Sequence, residues 1–232
     1  MKNHSFLNSL KTLLTIILIT APSLAVYAQS GALAFELDDN GAAYSVSKGK
    51  VTKGSVVIPA VYNNLPVTAI RENAFLKAGI TSVTIPGSVT VIGKSAFENC
   101  AKLASVTIGN GVTTIGNSAF KNCKSLTNIT IPDSVITIDA GAFSNCAKLA
   151  SVTIGNSVTS IGAGTFVLTG ITSITIPDSV TSIGTGAFTS CAKLASVTVG
   201  NGVTNISANA FFYCTSLTSI TIPDIKEFAL FT

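Results

Sequence analysis

Leu103-Ala104-Ser105-Val106-Thr107-Ile108-Gly109-Asn110-Gly111-Val112-Thr113-Thr114-Ile115-Gly116-Asn117-Ser118-Ala119-Phe120-Lys121-Asn122-Cys123 is one unit of a motif that fills most of this 232-residue chain. Its large apolar residues are Leu103, Val106, Ile108, Val112, Ile115, Phe120 and Cys123, and their spacing mixes two periods. Val106 and Ile108 flank Thr107 at a period of two, which marks a short strand with one buried face. Val112 and Ile115 suit a second short extended segment. Ala119, Phe120 and Cys123 are spaced like one helical or 3-10 turn, and Gly116 and Asn117 before them supply turn chemistry. One unit cannot bury these side chains alone. Units stacked in register place like residues above one another and close a continuous core.

The register is explicit. Ile85, Ile108, Ile131, Ile154, Ile176, Val199 and Ile222 form one column with steps of 23, 23, 23, 22, 23 and 23. Phe75, Phe97, Phe120, Phe143, Phe166, Phe188 and Phe211 form a second, and Ile70, Ile92, Ile115, Ile138, Ile161, Ile183 and Ile206 a third. Eight strands from Val56 to Ile222, about 4.8 Å apart, predict a parallel sheet roughly 35 Å along its stacking direction. From the strand ending at Ile85 onward, the residue after each strand alternates: Pro86, Gly109, Pro132, Gly155, Pro177, Gly200, Pro223. The duplicated unit is therefore a pair of rungs, one ending in a Pro-type turn and one in a Gly-type turn.

The flanks divide the rest. Residues 1–28 read as a signal peptide, with Lys2 and Lys11, an apolar stretch from Leu13 to Ile19, Pro22, and small residues at Ala25 and Ala28. Residues 29–55 form an N-terminal hairpin cap, in which Phe35 to Leu37 and Tyr44 to Val46 flank the turn Asp38-Asp39-Asn40-Gly41. Residues 56–224 are the solenoid. Residues 225–232 are a tail or cap that departs from the motif: either Phe228, Leu230 and Phe231 fold over the last rung, or the array is truncated there. The apolar leader is shorter than the roughly 20 residues a membrane span needs, and no stop-transfer segment follows. The reading is an exported protein, secreted or at the cell surface, without stable membrane insertion.

Composition excludes several chemistries. Removing the leader takes two of the 14 basic residues and none of the 10 acidic ones, leaving a small positive balance. The remaining lysines are spread along the repeats without the arginine-rich, aromatic clustering of a nucleic-acid site. His4 is the only histidine and lies in the leader, so histidine-based nucleophile arrangements and zinc sites are absent from the mature chain. No cofactor is implied, and Asp38-Asp39-Asn40-Gly41 lacks the alternating ligands and later Glu of a calcium loop. Asp133 and Asp178 stand two rungs apart, roughly 9 to 10 Å, near the upper separation of an inverting glycosidase pair. They are the same residue in the same repeated turn, however, and such a pair needs two different environments. The chain reads as a non-enzyme with no catalytic residues.

Cys100, Cys123, Cys146, Cys191 and Cys214 share one repeat position, three residues after the Phe. Side chains in one ladder point the same way and do not converge as a bridge requires, so a stack of reduced, buried thiols is expected. Strand parity turns two columns outward. One is Thr84, Thr107, Thr130, Thr153, Thr175, Thr198 and Thr221; the other includes Ser105, Asn128, Ser151, Ser173 and Ser196. This uncharged hydroxyl pavement is the candidate binding surface, although threonine also suits an exposed strand on packing grounds alone.

The motif Leu-x-x-Val-Thr-Ile-Pro/Gly-x-x-Val-x-x-Ile-x-x-x-Ala-Phe-x-x-Cys resembles the BspA-like leucine-rich repeats of bacterial surface antigens. Ile131-Pro132-Asp133-Ser134-Val135 through Ala142-Phe143-Ser144-Asn145-Cys146 carries the likeness most closely. The resemblance implies a curved leucine-rich-repeat solenoid, exported and used for adhesion to extracellular proteins or other cells. The expected partner is an extracellular protein or glycan. The alternative classes are a self-associating structural protein that stacks end to end through its last rung, and, more remotely, a carbohydrate-active enzyme.

Overall fold

The computed structural model describes residues 32–222 and the backbone of Glu227–Phe228; the leader expected over residues 1–28 lies outside them, as do the side chains of the expected cap. Every rung contributes two strands. The longer ones are β3 (Lys53–Val57), β6 (Gly79–Ile85), β8 (Ser105–Ile108), β10 (Asn128–Thr130), β12 (Ser151–Thr153), β14 (Ser173–Ile176), β16 (Ser196–Val199) and β18 (Ser219–Thr221). The second set is β5 (Leu65–Ile70), β7 (Val91–Ile92), β9 (Thr114–Ile115), β11 (Thr137–Ile138), β13 (Ser160–Ile161), β15 (Ser182–Ile183), β17 (Asn205–Ile206) and β19 (Glu227–Phe228).

The eight long strands match the sequence reading, but they do not make one unbroken ladder. They pair as β3-β6-β8, β10-β12 and β14-β16-β18. The continuous ladder is the second one, in which Ile92, Ile115, Ile138, Ile161, Ile183 and Ile206 pair in parallel and Phe228 follows Ile206. Two-residue strands suffice there because each inward isoleucine is flanked by residues that turn the chain back.

The third side of each rung is a run of turns. It carries the i→i+3 bonds of a 3-10 turn, as in Ala119 N–H to Gly116 O and Cys123 N–H to Phe120 O, but no helix propagates among the described residues. The reason lies in the backbone: Ser118 and Asn122 take φ of 55° and 61°, and the same two positions are left-handed in every rung from Asn73 to Tyr213. A left-handed residue every fourth position stops a right-handed helix. It also turns alternate N–H groups toward the next rung, so that Ser118, Phe120 and Asn122 donate to the carbonyls of Ala140, Ala142 and Ser144. The strand ladder runs the other way, with Thr113 and Gly116 donating back to Thr90 and Ile92. Each rung is thus bonded to both neighbours.

The phenylalanine column fills the interior. Its seven rings are buried and stacked nearly parallel, with successive centroids 5.0 to 5.5 Å apart. The five cysteines are free, and all but Cys214 are buried. Each thiol donates to the carbonyl of the preceding rung's Phe at 3.0 to 3.2 Å, for example Cys123 Sγ to Phe97 O. In the shortened rung Thr169 occupies the cysteine position; its hydroxyl donates to Phe166 O at 2.9 Å and lies 3.2 Å from Cys191 Sγ.

At the N-terminal end β1 (Ala34–Leu37) and β2 (Tyr44–Ser47) form the expected antiparallel hairpin, and β2 also pairs in parallel with β5. β4 (Val61–Tyr62) folds back antiparallel on β5. Phe35, Tyr44 and Tyr62 make a small aromatic cluster beneath the hairpin, with Phe35 and Tyr62 stacked at 3.9 Å. Lys48 completes the closure: its backbone N–H donates to Ala74 O at 3.0 Å and its ammonium to Leu76 O at 3.3 Å. Those are the turn-side carbonyls that every later rung offers to the rung before it.

Replacing Phe143 by Ala removes a ring stacked on both sides and should cost about 3–5 kcal/mol, read as a lowered denaturation midpoint; a loss under about 1 kcal/mol would contradict a close-packed column. The thiols carry a pH signature. Burial pushes Cys100 up to about 11 and Cys214 up to about 12, while the Cys146 thiol and burial raise Cys123. Unfolded thiols ionise near pH 8.5 to 9, so the folded state holds more protons above that range. Stability from these groups is intact below about pH 8.5 and declines as pH rises through 9 toward 11. Cys100→Ala should flatten that decline in denaturation titrations, and parallel curves for the two proteins would refute the assignment.

Candidate binding face

Alternation along the long strands aims Val106 and Ile108 inward and Ser105 and Thr107 outward. The structure exposes Thr84, Thr107, Thr130, Thr153, Thr175, Thr198 and Thr221, together with Ser105, Asn128, Ser151, Ser173 and Ser196. Register aligns them across rungs: Ser82 with Ser105 and Thr84 with Thr107, Asn128 with Ser151 and Thr130 with Thr153, and Thr175 with Thr198 and Thr221. The two columns are therefore brought together on one face. Ser55 and Ser82 are hydrogen-bonded where that face begins.

The face is not flat. A hollow of about 940 Å³ opens where the ladder parts between β8 and β10, lined by the half-buried Val106, Thr107, Thr130, Pro132, Asp133 and Asn156 among others. Two smaller ones, of about 350 and 430 Å³, follow toward the C-terminal end and share Asn156, Thr175 and Pro177 with each other. Together they form a trough along the stacking direction. The threonine column makes one wall. The other is a row that the sequence reading did not place on the binding face: Asn110, Asp133, Asn156, Asp178 and Asn201.

The alternation of turns builds that row. Gly155 lies so close to Pro132 of the rung before it that a Cβ would collide with the proline backbone, and Gly200 meets Pro177 in the same way. From Pro86 onward each proline turn is therefore followed by a glycine turn, whereas Pro86 itself follows Pro59 of the irregular first unit. Asp133 Oδ1 then accepts the N–H of Asn156, and Asp178 Oδ1 that of Asn201, both at 2.7 Å. The intervening junctions use serine: Ser134 donates to Val112 O and Ser179 to Val158 O, at 2.7 and 2.8 Å. Asp133 and Asp178 thus sit in equivalent surroundings, each tied to the next rung.

On the turn side sequence reading missed another ladder, in which Asn122 Nδ2 donates to Asn99 Oδ1 at 2.8 Å and Asn145 Nδ2 to Asn122 Oδ1 at 2.5 Å. These asparagines also occupy left-handed backbone positions, which their short polar side chains tolerate. Among the described residues no group of three His, Cys, Asp or Glu side chains is placed to hold a metal ion, and no helix is long and apolar enough to cross a membrane.

A model of the BspA type leucine-rich repeat region matches residues 68–195 and 159–229, in six copies. The chain belongs to the BspA-type leucine-rich-repeat family. Among solved structures, the T. pallidum leucine-rich repeat protein superposes with a TM-score of 0.76 at 28% identity, over 82% of this chain and 89% of that one. A leucine-rich cell surface protein of Faecalibacterium prausnitzii A2-165 superposes with a TM-score of 0.53 at 27% identity, over 83% and 75% of the two chains. No curated protein matches the sequence.

The turn geometry makes a sharp contrast between two small substitutions. Gly155→Ala, which drives a methyl group into Pro132, should lower stability by about 1–3 kcal/mol. Asp133→Asn keeps an oxygen acceptor for Asn156 N–H and should change stability by less than about 0.5 kcal/mol. Urea denaturation of both variants checks the ordering, and a reversal would contradict the stacked-turn account.

Proposed function

We propose that the chain is an exported, non-catalytic scaffold whose strand face and trough bind an extracellular protein or glycan, as in adhesion or another surface interaction. The observation that carries this reading is the trough with its threonine wall and Asn/Asp row. It runs across several rungs on a face built from regular outward columns. Export is supported by the leader-like composition of residues 1–28. A cell-surface setting is supported by the cell-surface description of the F. prausnitzii relative. Interface hot spots are usually Trp, Tyr and Arg, and this face has none, so single-site affinity is modest and tight binding needs several rungs or several copies.

A scaffold is preferred to the two alternatives. End-to-end stacking would need free carbonyls at the N-terminal end, and Lys48 already takes those of Ala74 and Leu76. Acid–base hydrolysis would need two carboxylates in unlike environments, and Asp133 and Asp178 share one bonding pattern.

The test is a binding screen of the chain against matrix proteins and glycans, repeated with Thr130, Thr153 and Thr175 replaced together by Lys. Exposed positions on one face should accept lysine without unfolding, and capture should be lost. Undiminished capture by the folded triple variant would move the binding site off this face.

A further inference from the structure

The Asn/Asp wall of the trough has a period of two rungs. Asp133 and Asp178 stand on Pro-type turns; Asn110, Asn156 and Asn201 stand on Gly-type turns. Each carboxylate is fixed by the bond from its Oδ1 to the next rung, and its second oxygen is left for a ligand. No lysine or arginine lines the three hollows, so the trough is negative although the chain as a whole carries a formal charge of +4. With rungs about 4.8 Å apart, a negative charge recurs roughly every 9.6 Å.

A linear polymer lying along the stack stays in register only if its own repeat matches the rungs. An extended peptide returns the same side chain face after about 6.7 Å and drifts out of step. A β-1,4-linked pyranose chain advances by close to one rung per sugar. Each sugar is turned over relative to the one before, so the same edge returns every second sugar, which is every second rung. If each sugar carries an amine at position 2, one edge of the chain presents an ammonium group at the spacing of the carboxylates. The hydroxyls of the intervening sugars then meet the asparagine amides, and the opposite edge meets the threonine wall.

We infer that the trough takes a linear β-1,4-linked amino-sugar chain, with its ammonium groups on Asp133 and Asp178. The inference rests on the strand face being the binding face proposed above, and it names the ligand class of that face. From Asn110 to Asn201 the wall spans four rung steps, roughly 19 Å, which holds about five sugars.

Calorimetric titration of the full chain at low salt with three β-1,4-linked hexamers tests it: glucosamine, N-acetylglucosamine and glucose. The glucosamine hexamer should bind about tenfold more tightly than the other two, the size expected of two partly exposed ion pairs. High salt should erase that preference. Asp133→Asn combined with Asp178→Asn, which keeps both inter-rung bonds, should erase it as well. Equal affinities for the three hexamers, a preference that survives the double substitution, or no binding of the glucosamine hexamer would each overturn the inference. Capture of some other glycan or protein that is lost in the triple lysine variant, with no glucosamine binding, would overturn it while leaving the binding face intact.

Discussion

Backbone hydrogen bonding between rungs is the interaction on which the rest of this molecule depends. A single rung buries no phenylalanine and leaves its peptide groups without partners. Stacking supplies those partners in both directions: the turn side donates to the rung after, residues flanking the short strands donate to the rung before, and the long strands also donate forward, as Ile131 N–H does to Thr153 O. Buried backbone groups left unpaired are costly, so the spacing of rungs is held along the whole stack and side chains must follow it. The parallel rings of the phenylalanine column, the thiols on the carbonyls of the preceding rung and the asparagine ladder are consequences of that fixed spacing. In such an array stability is a sum of rung and junction contributions.

The junctions come in two kinds, and this alternation turns a uniform stack into a patterned surface. In the regular rungs the glycine of one turn packs directly on the proline of the turn before it, and the aspartate beside the proline accepts the N–H of the next rung's backbone. Carboxylates therefore recur at every second rung along the trough, while the strands carry hydroxyls at every rung. The chemistry of the face follows from how the turns pack. Its periodicity was set by the requirements of the solenoid before any ligand is considered.

The columns were legible in the sequence because a solenoid writes its core as a literal repeat: Ile115, Phe120 and Cys123 keep their positions rung after rung. Outward Thr130 and Thr153 followed from strand parity alone. What sequence did not disclose is the direction of hydrogen bonds. Left-handed backbone at Ser118 and Asn122 replaces the expected helical turn with separate turns, and no apolar spacing encodes it. Lys48 read as one more of the scattered lysines, since its role depends on an end of the stack that no repeat describes. Thr169 was hidden by a residue type unlike the cysteines whose place it fills. The trough depends on gaps between strands of like sequence pattern, which are a property of the assembled ladder.

The paired junction is the central claim, and deletion tests it most directly. Removing residues 109–154 takes out two rungs and joins Ile108 to Gly155, preserving the order of turns. Removing residues 109–131 takes out one rung and joins Ile108 to Pro132, setting a proline turn against the one at Pro86. Measured by chemical denaturation, the protein lacking two rungs should be more stable than the protein lacking one, although it has the smaller core. If stability simply followed the number of rungs retained, the paired unit would be an accident of duplication and the account would fail.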